Sequence, residues 1–401
     1  MFLLNLIQKK QILRKWRKAK KRKRTIHLKI CNVVQTLQDM EDRGIRYVVL
    51  RWPEEVPLTI EEEWLFSGDM DLLTDVDTNT IPELANIVSR RHGPVVCDVY
   101  SIGGRGGTSY FGMPYYPPVL AECILTNRCR HANGFYVPEP MMAFRSLAFH
   151  LVYHKGPLSG IPTGCEIETD SSPKRNYRRY IEDLGNTLCV GIETPYSLLK
   201  LHHYLKQCKW NMPYDLLERW PNKNPWHKYL LQRENNLLRP WAEQLPGLLV
   251  FFIREDATTP DQLDFIIKEL SGKFQILRID VLSTDQIEQV IRFVRGGNWI
   301  QGKDLKMVRP VIAIISYDHT PIPVDQSDNL KKAGYPLVKN QNVFVKHHIR
   351  HALNRNSPSN KEIFGIHGSD NEFEAQHMLR AIYGERVDEM NSFFLAELKK
   401  Q

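Results

Sequence analysis

Two short segments carry residues that could do phosphate chemistry: Ile366-His367-Gly368-Ser369-Asp370 and Gly68-Asp69-Met70-Asp71. A tight Gly-Ser-Asp turn can hold an imidazole with one ring nitrogen toward a phosphate and the other fixed by a hydrogen bond. A phosphoryl-accepting histidine needs that arrangement. The alternative is a solvent-exposed turn with an incidental histidine. The second segment suggests a different chemistry. In an extended strand, side chains at i and i+2 share a face, so Asp69 and Asp71 point together while Met70 and Leu72 turn inward. Two converging carboxylates beside Gly68 suit Mg2+ or Mn2+, which binds a few protein oxygens together with substrate phosphates. Asp98, between Cys97 and Val99, is the candidate third carboxylate of a site where metal ions activate an attacking oxygen and neutralise a leaving group. An exposed acidic turn is the alternative for Asp69 and Asp71. Asp75 and Asp77 are read as solvated loop acids. His150 and His154, four apart with no glutamate at metalloprotease spacing, are read as structural histidines, and Lys155 at that helix end could reach a phosphate.

The elements that must position these residues follow from periodicity. Leu28–Gly44 is spaced as a helix and leads into a strand at Tyr47–Leu50; residues 52–67, rich in proline and glutamate, read as a loop. Asp71–Leu73 and Val95–Tyr100 read as strands around a helix at Ile81–Arg91. Gly103–Gly107 reads as a flexible loop, Ala121–Thr126 as a further strand, and Pro138–Lys155 as a helix. A helical, tryptophan-rich stretch follows to Leu238. A new β/α alternation begins at Leu248–Ile253, with helices at 260–271, 284–295, 343–353 and 371–382 and strands at 274–282 and 311–317. The expected domains are a basic amphipathic tail (1–27), a mixed-sheet domain (28–155), a helical acceptor or linker region (156–245) and a C-terminal α/β domain (246–401). The fold class is therefore α/β (α+β).

The 401 residues suffice for two or three cores, and 42% apolar with 25% charged residues is ordinary for globular proteins. Seven scattered cysteines without a C-x-x-C pair suit reduced thiols in a cytoplasm. The net charge of +8 is uneven: residues 1–24 hold eleven Lys or Arg and no acid, which leaves −3 for the remainder. Burial of Phe2, Leu3, Leu6, Leu13 and Trp16 in a membrane interface, reinforced by anionic headgroups, is the leading expectation for this segment. A nucleic-acid arm is the weaker competitor, and a solvated tail is the third reading.

The helix, strand, Asp-x-Asp strand, helix and strand with a third Asp over residues 28–155 resemble the nucleotidyltransferase superfamily with the polymerase-β-like palm. Asp69, Asp71 and Asp98 take the metal-binding places in that resemblance. Leu50-Arg51-Trp52-Pro53 stands where the family has Gly-Ser, with Arg51 and Gly68 as the candidate phosphate contacts. Residues 246–401 resemble nucleoside diphosphate kinases, whose fold is a ferredoxin-like α/β sandwich. The resemblance rests on Phe252-Ile253-Arg254-Glu255-Asp256-Ala257, Arg309-Pro310-Val311-Ile312-Ala313-Ile314, Ile349-Arg350 and His367-Gly368-Ser369-Asp370. It implies His367 as a phosphohistidine, with Arg254, Arg350, Gly368 and Ser369 around the phosphates. Phe364 and Met378 replace the family's Asn and Glu, and its tyrosine-bearing hairpin is missing between Arg295 and Arg309.

The expected function is a metal-dependent nucleotidyl- or phosphotransferase using a nucleoside triphosphate. Its expected place is cytoplasmic, peripheral on the inner membrane face, with acceptors in cell-envelope glycan assembly. The alternatives are a kinase-like enzyme using His367 and a non-catalytic nucleotide sensor or scaffold. A homo-oligomer through the C-terminal domain is the remaining partner expectation.

Overall fold

The computed structural model describes residues 2–76, 80–170, 172–173, 175–221, 224–301, 306–325, 335–355 and 363–400, so Asp77 lies outside it. The chain is mixed α/β and divides into two compact units. One comprises Met1–Met212 with Pro221–His227; the other comprises Pro213–Trp220 with Lys228–Gln401. The middle region is thus shared out between the units. Its helices Tyr177–Thr187 and Leu198–Gln207 belong to the first, and Tyr214–Arg219 belongs to the second.

In the first unit, β1 (Ile26–Ile30), β2 (Tyr47–Val49), β3 (Asp69–Thr74) and β4 (Val95–Ser101) form one sheet in the order β1-β4-β3-β2. β3 and β4 run parallel, and the outer strands are antiparallel to their neighbours. Strand alternation divides the side chains between two faces. Ile26, Leu28, Ile30, Met70, Leu72, Val95, Cys97 and Val99 are all buried in one core. The same core takes Val33, Leu37 and Met40 from the helix Val33–Asp42, and Leu84, Ala85 and Val88 from Ile81–Arg90. The opposite parity, His27, Asp98, Asp71 and Asp69, is left for the other face.

Several expectations are corrected. Leu28–Ile30 belongs to β1, and the helix begins at Val33, because Ile26, Leu28 and Ile30 alternate with exposed His27 and Lys29. Ala121–Thr126 lies in a helix, Pro118–Thr126; a short continuous apolar run does not distinguish a buried helix from a strand. Residues 52–67 contain a helix, Ile60–Leu65, started by a reciprocal Thr59–Glu62 capping box. Within it Glu63 is buried, and its carboxylate accepts from the N–H groups of Asn32 and Val33 at 2.8 and 2.7 Å. That negative charge closes the N-terminus of the helix beginning at Val33. Asp75 is not a free loop acid: it accepts from Arg46 at 2.9 Å.

The basic N-terminal segment is also built differently from the expectation. Phe2–Lys21 is a helix, and its Ile12 and Trp16 are 4% and 2% exposed within the sheet's core. Trp16 is therefore not available to a membrane. Gly107, at φ +94°, lets a loop lie against this helix, since a Cβ there would come within 2.9 Å of the Trp16 ring. Its carbonyl accepts from the Ile26 N–H at 2.8 Å, joining the loop to β1.

Two short strands, β5 (Arg128–Arg130) and β6 (Tyr136–Pro138), pair with each other. In the second unit, β7 (Leu248–Arg254), β8 (Gln275–Val281), β11 (Pro310–Tyr317) and β12 (Ile366–Gly368) form an antiparallel sheet in the order β12-β7-β11-β8. Two-residue strands β9 (Ile300–Gln301) and β10 (Lys306–Met307) pair between Arg295 and Arg309. β7 is buried at every residue, as a central strand covered on both faces must be. Leu249, Phe251 and Ile253 pack with Ile266, Leu270, Val345 and Ile349 from the helices Pro260–Ser271 and Val345–Asn354. The helix Glu372–Tyr383 also packs against β7.

Because Trp16 belongs to the core, Trp16→Ala should destabilise the protein by about 3–5 kcal/mol, the usual result of emptying a buried aromatic site. Denaturant unfolding of the full chain measures this; a solvated or membrane-only tail would give no change.

Candidate active site

The register of β3 against β4 places Asp71 directly beside Asp98, with Asp69 two residues earlier on the same face. Across β1 and β4, His27 is the partner of Asp98. Carboxylate oxygens of Asp69, Asp71 and Asp98 lie within 4.8 Å of one another. The sequence-derived trio is thus brought together by two neighbouring strands. All three residues line a cleft of about 630 Å³, together with Arg51, Tyr115, His150, Lys155, Arg175 and Tyr177 among others.

The charges in the cleft are arranged in opposition. Arg51, just past the end of β2, donates from Nη2 to Asp71 at 2.6 Å, and both side chains are largely out of water. Burial alone would weaken the guanidinium's hold on its proton. Asp71, with Tyr115, Tyr116 and Tyr100 behind it, more than restores that hold. The second terminal nitrogen of Arg51, Nη1, is buried without a hydrogen-bond partner. Asp98 pairs with Nδ1 of His27. Burial pushes the Asp98 carboxyl above its ordinary range; His27 opposes the rise, while Asp71 and Asp69 add to it.

Two further parts of this wall stand apart from the sequence reading, which took His150 as a structural histidine and passed over Arg175. His150 opens a π-helical turn, His150–Lys155, that continues the helix Pro140–Phe149. Such turns re-aim side chains and often occur at functional sites. Its Nδ1 lies 2.5 Å from the Tyr115 hydroxyl, while Nε2 is buried with no hydrogen-bond partner. Burial, followed by the positive charge of Arg51, keeps the imidazole neutral far below its ordinary range. The second is Arg175, which lies 4.6 Å over the Trp52 ring and donates to Glu55 at 2.6 Å. Trp52 stacks in turn on Tyr180 at 4.3 Å. Arg175, Trp52, Gly68 and Asp69 also line an adjoining cleft of about 580 Å³. Gly68 leaves room there, since a Cβ would come within 2.9 Å of the Phe66 ring. Neither signal was legible locally, because both depend on residues more than 30 positions apart.

The second unit holds a separate cluster. His367, at 9% exposure, sits edge-on to Trp299 at 5.8 Å, and its Nε2 has no hydrogen-bond partner. Arg254 and Arg295 flank the same indole at 5.7 and 5.1 Å. Arg254 donates to the Trp299 carbonyl at 3.0 Å, while its Nε and the Nη1 of Arg295 are buried without partners. Arg350 donates twice to the Ile366 carbonyl, at 2.9 and 2.7 Å. Burial, opposed by Asp256, pushes Arg254 down to about 10, and burial with the charge of Arg254 next pushes Arg295 down to about 9. Burial, with Arg295 next, likewise holds His367 well below its ordinary value.

Gly368 and Ser369 have a different place from the one expected. A Cβ at Gly368 would meet the Phe251 ring at 2.5 Å. The fully buried Ser369 donates its N–H to the Val250 carbonyl at 3.0 Å and accepts from the Val250 N–H at 3.2 Å. Both residues fit β12 onto β7, and the Ser369 hydroxyl oxygen lies buried there against the backbone. Beyond them, Lys346 donates to Asp370 at 2.7 Å, and Arg219 lies 3.4 Å from Asp370. Asp215 and Glu374 each keep one buried oxygen without a hydrogen-bond partner.

No protein-family model matches the chain, and neither a curated protein nor a solved structure matches it.

The acidic group around Arg219 gives a pH test. Burial, with Asp215 and Asp370 adding to it, raises Glu218 to about 7 against the opposing contacts of Asn371 and Arg219. A carboxyl raised on folding favours the folded state while protonated, and that contribution is lost as pH climbs from about 4.5 through 7. Glu218→Gln should therefore raise the unfolding free energy by roughly 3 kcal/mol at pH 8 and leave it unchanged at pH 4. Denaturant titrations at the two pH values measure the difference.

Proposed function

We propose that the first unit is a divalent-metal-dependent nucleotidyl- or phosphotransferase with a nucleoside triphosphate as donor. The observation that carries this reading is the convergence of three carboxylates from adjacent parallel strands on the wall of a cleft that also holds cations and aromatic rings. The donor set is all oxygen and anionic, which fits Mg2+ or Mn2+ and argues against a soft-metal site. Asp69, Asp71 and Asp98 would hold the ion, which when bound offsets the triphosphate's charge and favours ionisation of the attacking oxygen.

The chain's own residues supply the rest. Arg51, fixed by Asp71 and with one nitrogen unpartnered, offers a rigid donor to a phosphate oxygen. It takes the part that a Gly-Ser turn plays in the resemblance. Arg175, oriented by Trp52 and Glu55, offers a second. The acceptor's oxygen attacks phosphorus, the bond to the departing phosphate breaks, and the acceptor's proton passes to a base on the cleft wall. Burial and Arg51 hold His150 neutral, so it resists taking that proton; its buried, unpartnered Nε2 is placed instead to hydrogen-bond the acceptor. The acceptor is accordingly a hydroxyl- or phosphate-bearing molecule, with cell-envelope glycans as the contextual class.

A second reading is favoured by the buried nitrogens around Trp299. Arg254, Arg295 and His367 each leave a donor or acceptor unused, as a site for a phosphate would. The strand order of the second sheet, fourth-first-third-second in chain order, supports a ferredoxin-like sandwich and hence a kinase-like use of His367. A nucleotide-sensing role would need the same cations and no transfer.

One experiment separates these readings. The full chain is incubated with Mn2+ and each nucleoside triphosphate labelled at the α or the γ phosphate. Transfer of α-label with pyrophosphate release, or of γ-label to an added extract, is expected to be abolished by Asp69→Asn. That exposed ligand should also weaken Mn2+ binding by more than the roughly 10- to 100-fold that an outer contact contributes. Acid-labile γ-label on the protein, lost in His367→Ala, would move the chemistry to the second unit. Equal Mn2+ binding by wild type and Asp69→Asn, with no label moving, would sink the metal-dependent reading.

A further inference from the structure

The helix Phe2–Lys21 faces two ways. Ile12 and Trp16, one turn apart, enter the core of the first unit. At 3.6 residues per turn, the side opposite them carries Leu3, Ile7, Lys10, Arg14, Lys18 and Lys21, separated by three or four residues throughout. Leu3 and Ile7 are 72% and 48% exposed, and Leu4 and Leu6 beside them are 60% and 44% exposed. The four cations of the stripe are exposed as well. The first acid in the sequence is Asp39, so no carboxylate within the helix neutralises them.

We infer that this outer stripe docks the first unit onto an anionic lipid surface. The exposed aliphatic side chains of the first two turns would enter the acyl boundary, and the cations behind them would meet headgroup phosphates. The two halves of the stripe together select the occupant. Nucleic acid would account for the cations and leave four exposed aliphatic side chains in water. A second copy of the helix would bring like charges face to face. An anionic membrane satisfies both the apolar turns and the cationic turns along one line. Among the described residues no helix is long and apolar enough to cross a membrane, so the contact is interfacial. Because Ile12 and Trp16 remain in the core, docking needs no unfolding of the helix. This inference stands apart from the catalytic reading and survives its failure.

The test is co-sedimentation of the full chain with vesicles of phosphatidylcholine alone or with about one third phosphatidylglycerol, at about 0.15 M salt. The chain is expected to bind the anionic vesicles and to be left in solution by the neutral ones. Leu3→Ser/Ile7→Ser should weaken binding by roughly tenfold or more at unchanged melting midpoint. Lys10→Gln/Arg14→Gln/Lys18→Gln should weaken it as well and reduce its dependence on salt. Wild-type affinity in the Leu3→Ser/Ile7→Ser chain would overturn the proposal, as would failure of the full chain to bind anionic vesicles. Binding of a duplex oligonucleotide in place of vesicles, lost in the glutamine variant, would reassign the stripe to nucleic acid.

Discussion

The ion pair between Arg51 and Asp71, both largely removed from water, is the constraint on which the first unit's cleft depends. A buried guanidinium needs a carboxylate, because an unpaired charge in that setting costs several kcal/mol. Asp71 in turn lies beside Asp98, whose charge also resists burial and is met by His27. The result is a row across four strands and their ends in which Arg51 and His27 stand outside and carboxylates inside. Removing one member exposes the next to an uncompensated neighbour. Such an arrangement is a poor choice for stability alone, since well-packed apolar residues would serve equally. Its position beside an open cleft is what makes it a candidate site.

The surrounding structure serves that row. Helices on one face of the sheet bury the strand residues of one parity, which forces the charged parity to the other face. The helix Phe2–Lys21 is part of this support, since Ile12 and Trp16 close the same core. The capping of the helix at Val33 by Glu63 ties a second element to it. On the far side, Tyr115 bridges the charges and the histidines: Arg51 lies 5.5 Å over its ring, and its hydroxyl meets His150. Displacing any of these elements would disturb the carboxylates through the strands that carry them.

The second unit solves a related problem with the opposite sign. Arg254 and Arg295 share a buried indole, whose ring faces tolerate cations better than an aliphatic wall would. The indole does not neutralise them, and their weakened hold on protons reflects that. Nearby carboxylates bind Lys346 and Arg219, so the acidic and basic groups are partly segregated. An arrangement of this kind changes its charge balance when an anion arrives or when pH moves through the neutral range.

The alternation around Asp69, Asp71 and Asp98 was enough in sequence to place three carboxylates on one face, because strand geometry relates i to i+2 without reference to the rest of the chain. The strands at Val95, Leu248 and Val311 and the helices near 81, 260 and 372 were legible for the same local reason. Other features were not. Trp16 looked like an interfacial residue until a sheet was found beneath it, and the leucines ahead of it kept their exposure only because the helix turns a different face to that sheet. The helix at Pro118 resembled a strand, since so short and largely apolar a run carries no distinguishing period. Arg175, Trp299 and Arg295 gave no local signal, and the spacing of His150 showed only a structural histidine; their places come from contacts made by chain segments far apart. Local periodicity therefore determined which residues share a face. Only tertiary packing decided which of those faces met water, which met a core, and which charges were left to hold one another.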